Sequence, residues 1–399
     1  MKKILVLTNI YPAPDVEKGN TPIVHYFTKE WVKMGYDVRV INYPANFPKF
    51  LMWGASLFKK QLTSKLGATV RTYRLSEIEY VLDNVKVKRI PLVKCKLHGA
   101  YSVREINAAY EKTFEYLTAE SFFPDLIISH WVNPQLNIMN RLKIRFGCKT
   151  CYVAHSVFAE LDNIYNREQS QKLIDNIDVI GFRSAYIRNT FLQRFSFSRK
   201  TFLCYSGIPD KYIPLHLNER SFGHIANYIY VGTLIKRKYP AEIIPALVSA
   251  YDGEEFSISY IGTGAERKHI EKNVRKYNLQ KRAHIIGFIP RGEVIKRMQQ
   301  SDVFIMISRN EAFGLVYLEA MAQGLITIAS RNEGFDGIIE HGKNGFLCEA
   351  GNVEELARLI KHIKQMPPQQ LQQVSLNAAK TARNLTDSKV ARMYVKAVE

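Results

Sequence analysis

The chain is short of the features that would mark it for a membrane or for export. No apolar run among its 399 residues approaches the ~20 residues that a spanning helix needs. Met1-Lys2-Lys3 ahead of Ile4-Leu5-Val6-Leu7 has the charge order of a signal peptide. Asn9 and Pro12 interrupt it after too few apolar residues, so a first buried strand and a cytoplasmic location are expected. Cysteine is scarce and odd in number: Cys95, Cys148, Cys151, Cys204 and Cys348. Cys148 and Cys151 form a lone C-x-x-C with no second pair to complete a zinc site, so ordinary buried thiols are expected. Acidic residues are few, 37 against 56 Lys and Arg, for a net charge of +19. Even so, no Lys/Arg run is interleaved with stacking aromatics, and nucleic acid is not an expected partner.

What is present is an α/β pattern repeated twice. The length exceeds one ordinary core, so two domains are expected. β-branched runs at 3–7, 38–41, 125–129, 150–153, 179–181 and 201–203 alternate with helical stretches at 23–34, 103–120 and 184–195. The pattern weakens over 208–225, read as a linker, and then restarts. Strands are expected at 228–231, 256–261, 284–286, 303–307 and 326–329. Helices are expected at 241–251, 265–277, 291–300, 315–322 and 353–364. The reading is two Rossmann-like, doubly wound domains, 1–207 and 226–384, facing a cleft. A last helix at 385–399 could pack back on the first domain. Ligands of such sheets sit outside the carboxyl ends of the strands.

The strongest local signal is Asn310-Glu311-Ala312-Phe313-Gly314-Leu315-Val316-Tyr317-Leu318-Glu319, which follows an apolar strand and opens a helix. Gly314 can adopt a backbone conformation closed to other residues. The free amides of Gly314, Leu315 and Val316 would then form an anion site at a helix N-terminus. Glu319, further along the helix, could reach a ribose hydroxyl, and Glu311 could accept hydrogen bonds from sugar hydroxyls. Taken singly, Glu311 reads as well as a helix N-terminal charge and Glu319 as a solvated helix residue.

Glu311 and Glu319, seven residues apart around Phe313-Gly314-Leu315, resemble the E-x7-E motif of the retaining glycosyltransferases of family four, which have the GT-B fold. The resemblance continues through Tyr230-Val231-Gly232-Thr233-Leu234 with Lys238, Ile261-Gly262-Thr263-Gly264, and His284-Ile285-Ile286-Gly287-Phe288. It extends to Met321-Ala322-Gln323-Gly324, Gly334 and Glu340-His341-Gly342-Lys343-Asn344-Gly345. It covers nearly all of the C-terminal half and the N-terminal half more loosely.

The resemblance implies a donor site for a nucleotide-diphospho-sugar, expected to be a UDP-sugar. Glu311 would bind the sugar, Glu319 the ribose, and the amides near Gly314–Val316 the diphosphate, with Phe313 in the same motif. Lys238 would neutralise the leaving diphosphate. Gly232 and Gly262 would lie by the donor, and Phe288 by its base. The family often has Arg where this chain has Thr233; Arg237 and Lys236 are the residues that could compensate. Gly19, in Lys18-Gly19-Asn20-Thr21-Pro22, resembles the family's glycine loop near the diphosphate. An ordinary turn capped by Thr21, with Pro22 opening the helix, explains that stretch equally well. His130, just past a buried strand, is assigned a role in the cleft, and His155 is a weaker candidate of the same kind.

The resemblance also implies retention of anomeric configuration. No D-x-D-like acidic cluster follows a strand, so neither an obligatory metal nor a cofactor is expected. The acceptor is expected to be a saccharide or lipid-linked saccharide in capsule or lipopolysaccharide assembly. Residues 1–200 hold 30 basic and 17 acidic side chains, and 46–66 combine Phe50, Trp53, Leu57, Phe58 and Leu62 with Lys49, Lys59, Lys60 and Lys65. That segment suits either an anionic membrane surface, at the inner face of the plasma membrane, or packing on its own domain. A GT-B-like sugar-nucleotide epimerase, which would bind the donor and transfer nothing, is the alternative.

Overall fold

The computed structural model describes residues 1–16, 22–57, 71–96, 99–155, 161, 164–214 and 220–399. They form two α/β units. The first takes the described residues up to Tyr205 together with Asp387–Glu399, and the second takes Ser206–Thr386. Gly19 lies outside the described residues, as do Phe58, Lys59, Lys60, Leu62 and Lys65 of the basic segment.

The strands of the first unit are β1 (Lys3–Thr8), β2 (Asp37–Asn42), β3 (Ala45–Asn46), β4 (Ile78–Leu82), β5 (Val85–Arg89), β6 (Leu92–Val93), β7 (Leu126–His130), β8 (Lys149–Ala154), β9 (Val179–Phe182) and β10 (Lys200–Leu203). Eight of them form one sheet in the order β10-β9-β8-β7-β1-β2-β5-β4. It is parallel except where β4 runs back along β5. β1 and β7 carry apolar runs because helices cover both faces of such a sheet; Ile4 to Leu7 and Ile127 to Ile128 have no exposed surface. The β4–β5 hairpin was not expected. It turns on Asp83 and Asn84, both at positive φ (48° and 63°), the geometry of a two-residue hairpin turn. Helices Gln135–Phe146, Arg167–Asp175 and, in the second unit, Pro368–Asn384 are likewise additions to the expected set.

The C-terminal helix Asp387–Val398 is part of the first unit. It buries Val390, Ala391, Tyr394, Val395 and Val398, one apolar face, against helix Ile23–Lys33. Trp31 seals the contact. It donates its indole N–H to the carbonyl of Ala391 (2.9 Å) and meets the Tyr394 ring edge-on at 5.0 Å.

The second unit has six parallel strands: β11 (Asn227–Val231), β12 (Ser257–Ile261), β13 (Ala283–Gly287), β14 (Val303–Ile305), β15 (Ile326–Ser330) and β16 (Phe346–Cys348). Their order is β13-β12-β11-β14-β15-β16. This is the doubly wound order of a Rossmann domain, and the chain reverses direction across the sheet between β11 and β14. The stretch expected to be a linker is largely part of this unit. Phe222 and Ile225 are buried in it. Arg220 caps its helices and turns by donating to the carbonyls of Gln323 (3.0 Å), Met298 (3.2 Å) and Gln299 (2.8 Å). A polar, aperiodic stretch hid this because Arg220 satisfies orphan carbonyls, which leave no periodic trace.

Candidate donor site

The loops that leave β11 and β14 meet at the reversal point of the second sheet. Beyond β11 the ladder continues: Gly232 N–H donates to Ile261 O (2.9 Å), Leu234 N–H to Thr263 O (2.9 Å) and Gly262 N–H to Gly287 O (2.8 Å). The loops pack too closely for a side chain at Gly262, where φ is +140°. A Cβ there would lie 2.9 Å from the carbonyl carbon of Gly232. The chain then makes a short 3-10 turn, Lys236–Lys238. Arg309 N–H bonds Arg237 O (2.7 Å), and Arg237 Nη1 donates to the carbonyls of Arg309 and Asn310 (3.3 Å each). The turn after β11 is thus stitched to the loop after β14.

That stitching brings three charges together. Lys238 Nζ lies 3.2 Å from Glu311 Oε2, and Arg237 Nη1 lies 3.6 Å from the same oxygen. The Glu311 and Lys238 side chains are each 14% exposed, so the pair is only partly screened by water. Glu311 Oε2 is buried yet makes no hydrogen bond. Glu333 fixes the backbone beneath it by accepting the Glu311 amide at 2.9 Å, and burial with the nearby Glu311 charge raises the Glu333 carboxyl above its usual range. Thr233 lends its carbonyl to the Tyr230 hydroxyl (3.0 Å). Arg237 is therefore the cation that stands beside Glu311, whereas Lys236 is exposed and makes no ion pair among the described residues.

Gly314 ends this loop with φ 83° and ψ 72°, and helix Leu315–Ala322 begins at the next residue. The amides of Gly314, Leu315 and Val316 donate to no carbonyl among the described residues. They form the free N-terminus that favours an anion. Tyr317 anchors the helix. Its hydroxyl donates to Met306 O (2.7 Å) and its ring stacks on Phe335 at 4.8 Å. Phe313 is a correction: it is 3% exposed and meets Phe335 edge-on at 5.5 Å, so it packs the loop rather than facing a ligand. Phe288, on the loop beyond β13, is 82% exposed. Glu319 is buried and ion-paired with Arg291. Burial raises its carboxyl above the usual range, opposed by the Arg291 charge. The solvated helix residue that Glu319 alone suggested is thus replaced by a buried ion pair.

In the first unit His130 ends β7, beside the reversal point between β1 and β7. It is fully buried. Nδ1 meets His155 Nε2 at 2.9 Å and Nε2 meets the Tyr394 hydroxyl at 3.4 Å. Burial, reinforced by the Arg183 charge, pushes its pKa down to about 3, so the ring is neutral at pH 7. His130 was expected to act in the cleft; in the structure both of its nitrogens face protein partners. His155, partly exposed and stacked on Trp131 at 4.2 Å, carries the accessible surface. Sequence pattern placed both residues at strand ends and ranked His130 first, because it carries no record of which ring is covered. Of the cysteines, Cys148, Cys151, Cys204 and Cys348 are buried and only Cys95 departs from expectation, being exposed. Burial holds the Cys148 thiol up at about 11 and raises the Cys151 thiol well above its ordinary range, so both stay protonated.

Residues 225–381 match the family model described as Glycosyl transferases group 1. An uncharacterized glycosyltransferase of Methanocaldococcus jannaschii is 28% identical over 286 residues, 71% of this chain and 76% of that protein. Alpha-monoglucosyldiacylglycerol synthase of Acholeplasma laidlawii is 30% identical over 174 residues, spanning 43% of this chain and only 42% of the relative. The crystal structure of Anabaena HepE in complex with UDP superposes with a TM-score of 0.68 at 16% identity, covering 99% of each chain. With two Rossmann-type units, the chain has the GT-B fold, and residues 225–381 within it are similar to the glycosyl transferases group 1 domain.

Proposed function

We propose that the chain transfers a sugar, with retention and without an obligatory metal, from a nucleotide-diphospho-sugar to a hydroxyl of a saccharide or lipid-linked saccharide. The observation that carries this reading is the buried Glu311 Oε2. It lacks a hydrogen bond, stands beside Lys238 and opens next to three free helix amides. A carboxylate oxygen desolvated without a donor costs free energy unless a ligand hydroxyl supplies one. In the reaction the bond from the anomeric carbon to the diphosphate oxygen breaks. The bond to the acceptor oxygen forms on the same face, and the acceptor's proton passes to the departing phosphate. Lys238, Arg237 and the amides of Gly314, Leu315 and Val316 stabilise the charge growing on the diphosphate, which is where preorganised donors accelerate. UDP is the first choice of nucleotide because the HepE structure of the same fold holds UDP.

Calorimetry separates the two acidic roles. Glu319→Ala should weaken bare UDP at least ~10-fold, the scale of a lost charged hydrogen bond. Glu311→Gln should leave UDP unchanged and weaken only the UDP-sugar. Equal losses with bare UDP would mean the roles are misassigned. Release of UDP only when acceptor is added separates transfer from epimerisation.

A specific observation favours a membrane-bound acceptor. Helix Lys49–Leu57 exposes Trp53 (70%) and Leu57 (61%) on the more basic half of the chain, and a relative carries the name of a diacylglycerol-lipid synthase. No helix among the described residues is long and apolar enough to cross a membrane. The attachment would be reversible and salt-sensitive, at about 1 kcal/mol per basic residue near an anionic surface. Wild type should co-sediment with anionic vesicles at low salt and not with neutral ones. Replacing Trp53 and Leu57 by Ser should cut this at least ~5-fold while UDP binding stays intact. Equal binding by wild type and variant would remove the segment from the reading.

A further inference from the structure

We propose that Arg291 is a positioning residue of the nucleotide site, holding the Glu319 carboxylate between itself and a ribose with Tyr212 as the wall behind it. The proposal deepens the donor-site reading and rests on Glu319 as the ribose ligand.

Three observations in the second unit carry it. Glu319 sits on helix Leu315–Ala322 with its side chain only 10% exposed, and Arg291 is its one charged partner among the described residues. The guanidinium engages Oε1, and Oε2 has no hydrogen bond among the described residues. Second, the Arg291 guanidinium carbon lies 4.8 Å over the Tyr212 ring, a cation–π contact that fixes the plane of the fork. Third, Tyr212 is itself held. Its carbonyl accepts Gln323 Nε2 (2.8 Å), and Gln323 Oε1 accepts Gln299 Nε2 (2.9 Å). Gln299 ends the helix that Arg291 begins, so the wall and the cation are braced by one element.

The arrangement has a physical use. A carboxylate this buried is held ionised at a cost, because burial favours its neutral form. Arg291 offsets that cost from the protein side of the group. The remaining lone pairs can then accept from an approaching hydroxyl, and a charged acceptor makes the stronger hydrogen bond. Glu319 with no cation beside it would bind the same hydroxyls more weakly. Arg291 thereby acts through Glu319 on ribose recognition rather than on the reacting bond.

The test compares UDP with 2′,3′-dideoxy-UDP, and GDP with its dideoxy form, by calorimetry on the full chain. Wild type should prefer the ribonucleotide by about 10- to 100-fold, the range for hydrogen bonds to a charged group. Glu319→Ala should abolish the preference. Arg291→Met should reduce it to within about threefold of unity, and the double variant should lose nothing more, since both act on one contact. Arg291→Lys should fall between, because it keeps the charge without the planar fork. Should Arg291→Met fail to fold, Tyr212→Leu carries the same test by releasing the guanidinium, with a smaller loss of preference. If wild type binds ribo- and dideoxy-nucleotides alike, the ribose reading of Glu319 fails. If wild type discriminates and both Arg291→Met and Tyr212→Leu discriminate equally well, the ribose reading stands and this proposal is overturned.

Discussion

Glu311→Gln is expected to lower kcat at least ~100-fold while leaving the fold and UDP affinity unchanged. The substitution is isosteric, and the Glu333 bond to the backbone amide of residue 311 does not use its side chain. The loop should therefore keep its shape. What is lost is the negative charge at Oε2, 3.2 Å from Lys238. The transition state puts positive charge on the sugar and negative charge on the diphosphate. A carboxylate beside the sugar favours the first, and its pairing with Lys238 holds the cation where the second develops. An amide does neither well. Lys238 would be left with Met306 Sδ, at 3.8 Å, as its acceptor contact. UDP release measured with saturating acceptor checks the result, with thermal unfolding as the fold control. Turnover within a few-fold of wild type would remove Glu311 from the chemistry.

Gly314→Ala is expected to cost about 2–4 kcal/mol of stability in the second unit and at least ~10-fold in UDP affinity. Two effects add. The residue sits at φ 83°, where a side chain is strained. A Cβ would also fall 2.6 Å from Tyr317 Cδ2, and closer still to Cε2. Tyr317 has little freedom to yield, being 1% exposed, bonded to Met306 O and stacked on Phe335. Either the ring leaves those partners or the helix start shifts. The second outcome re-aims the three amides that would hold the diphosphate. Urea unfolding and calorimetry with UDP measure the two effects independently. Wild-type UDP affinity in a destabilised variant would show that the amides do not bind the diphosphate.

Local elements were legible because they are written in short-range chemistry. Helix Leu315–Ala322 starts where a glycine able to take positive φ meets an apolar run, and its expected bounds agree with those found. The strands β1, β7, β11 and β15 were visible as apolar runs, since a parallel sheet is covered on both faces. The β4–β5 hairpin also has a local signature. Val85 and Val87 alternate with lysines after an Asp83-Asn84 turn, the pattern of a half-exposed strand pair. The E-x7-E spacing likewise exposed Glu311 and Glu319 as a pair on one turn and helix.

By itself, then, the amino-acid order determined the two α/β units, the helix that presents free amides, and the acidic residues Glu311 ahead of it and Glu319 within it. Only the tertiary structure decided which charges meet. Lys238 and Arg237 reach Glu311 because β11 and β14, distant in the chain, are neighbours at the reversal of strand order. Arg291 reaches Glu319, and Tyr212 reaches Arg291, for a related reason: a helix after β13 and a turn ahead of β11 fold onto the helix that follows β14. Burial was decided at the same level. Phe313 and His130 read as site residues through the family resemblance, yet Phe335 covers one, and His155 with Tyr394 covers the other. Periodicity records whether a side chain faces a core, through the energy of burying it next to its own neighbours. It carries no record of the partner, because an ion pair or ring contact depends on distances set by the order of strands in the sheet.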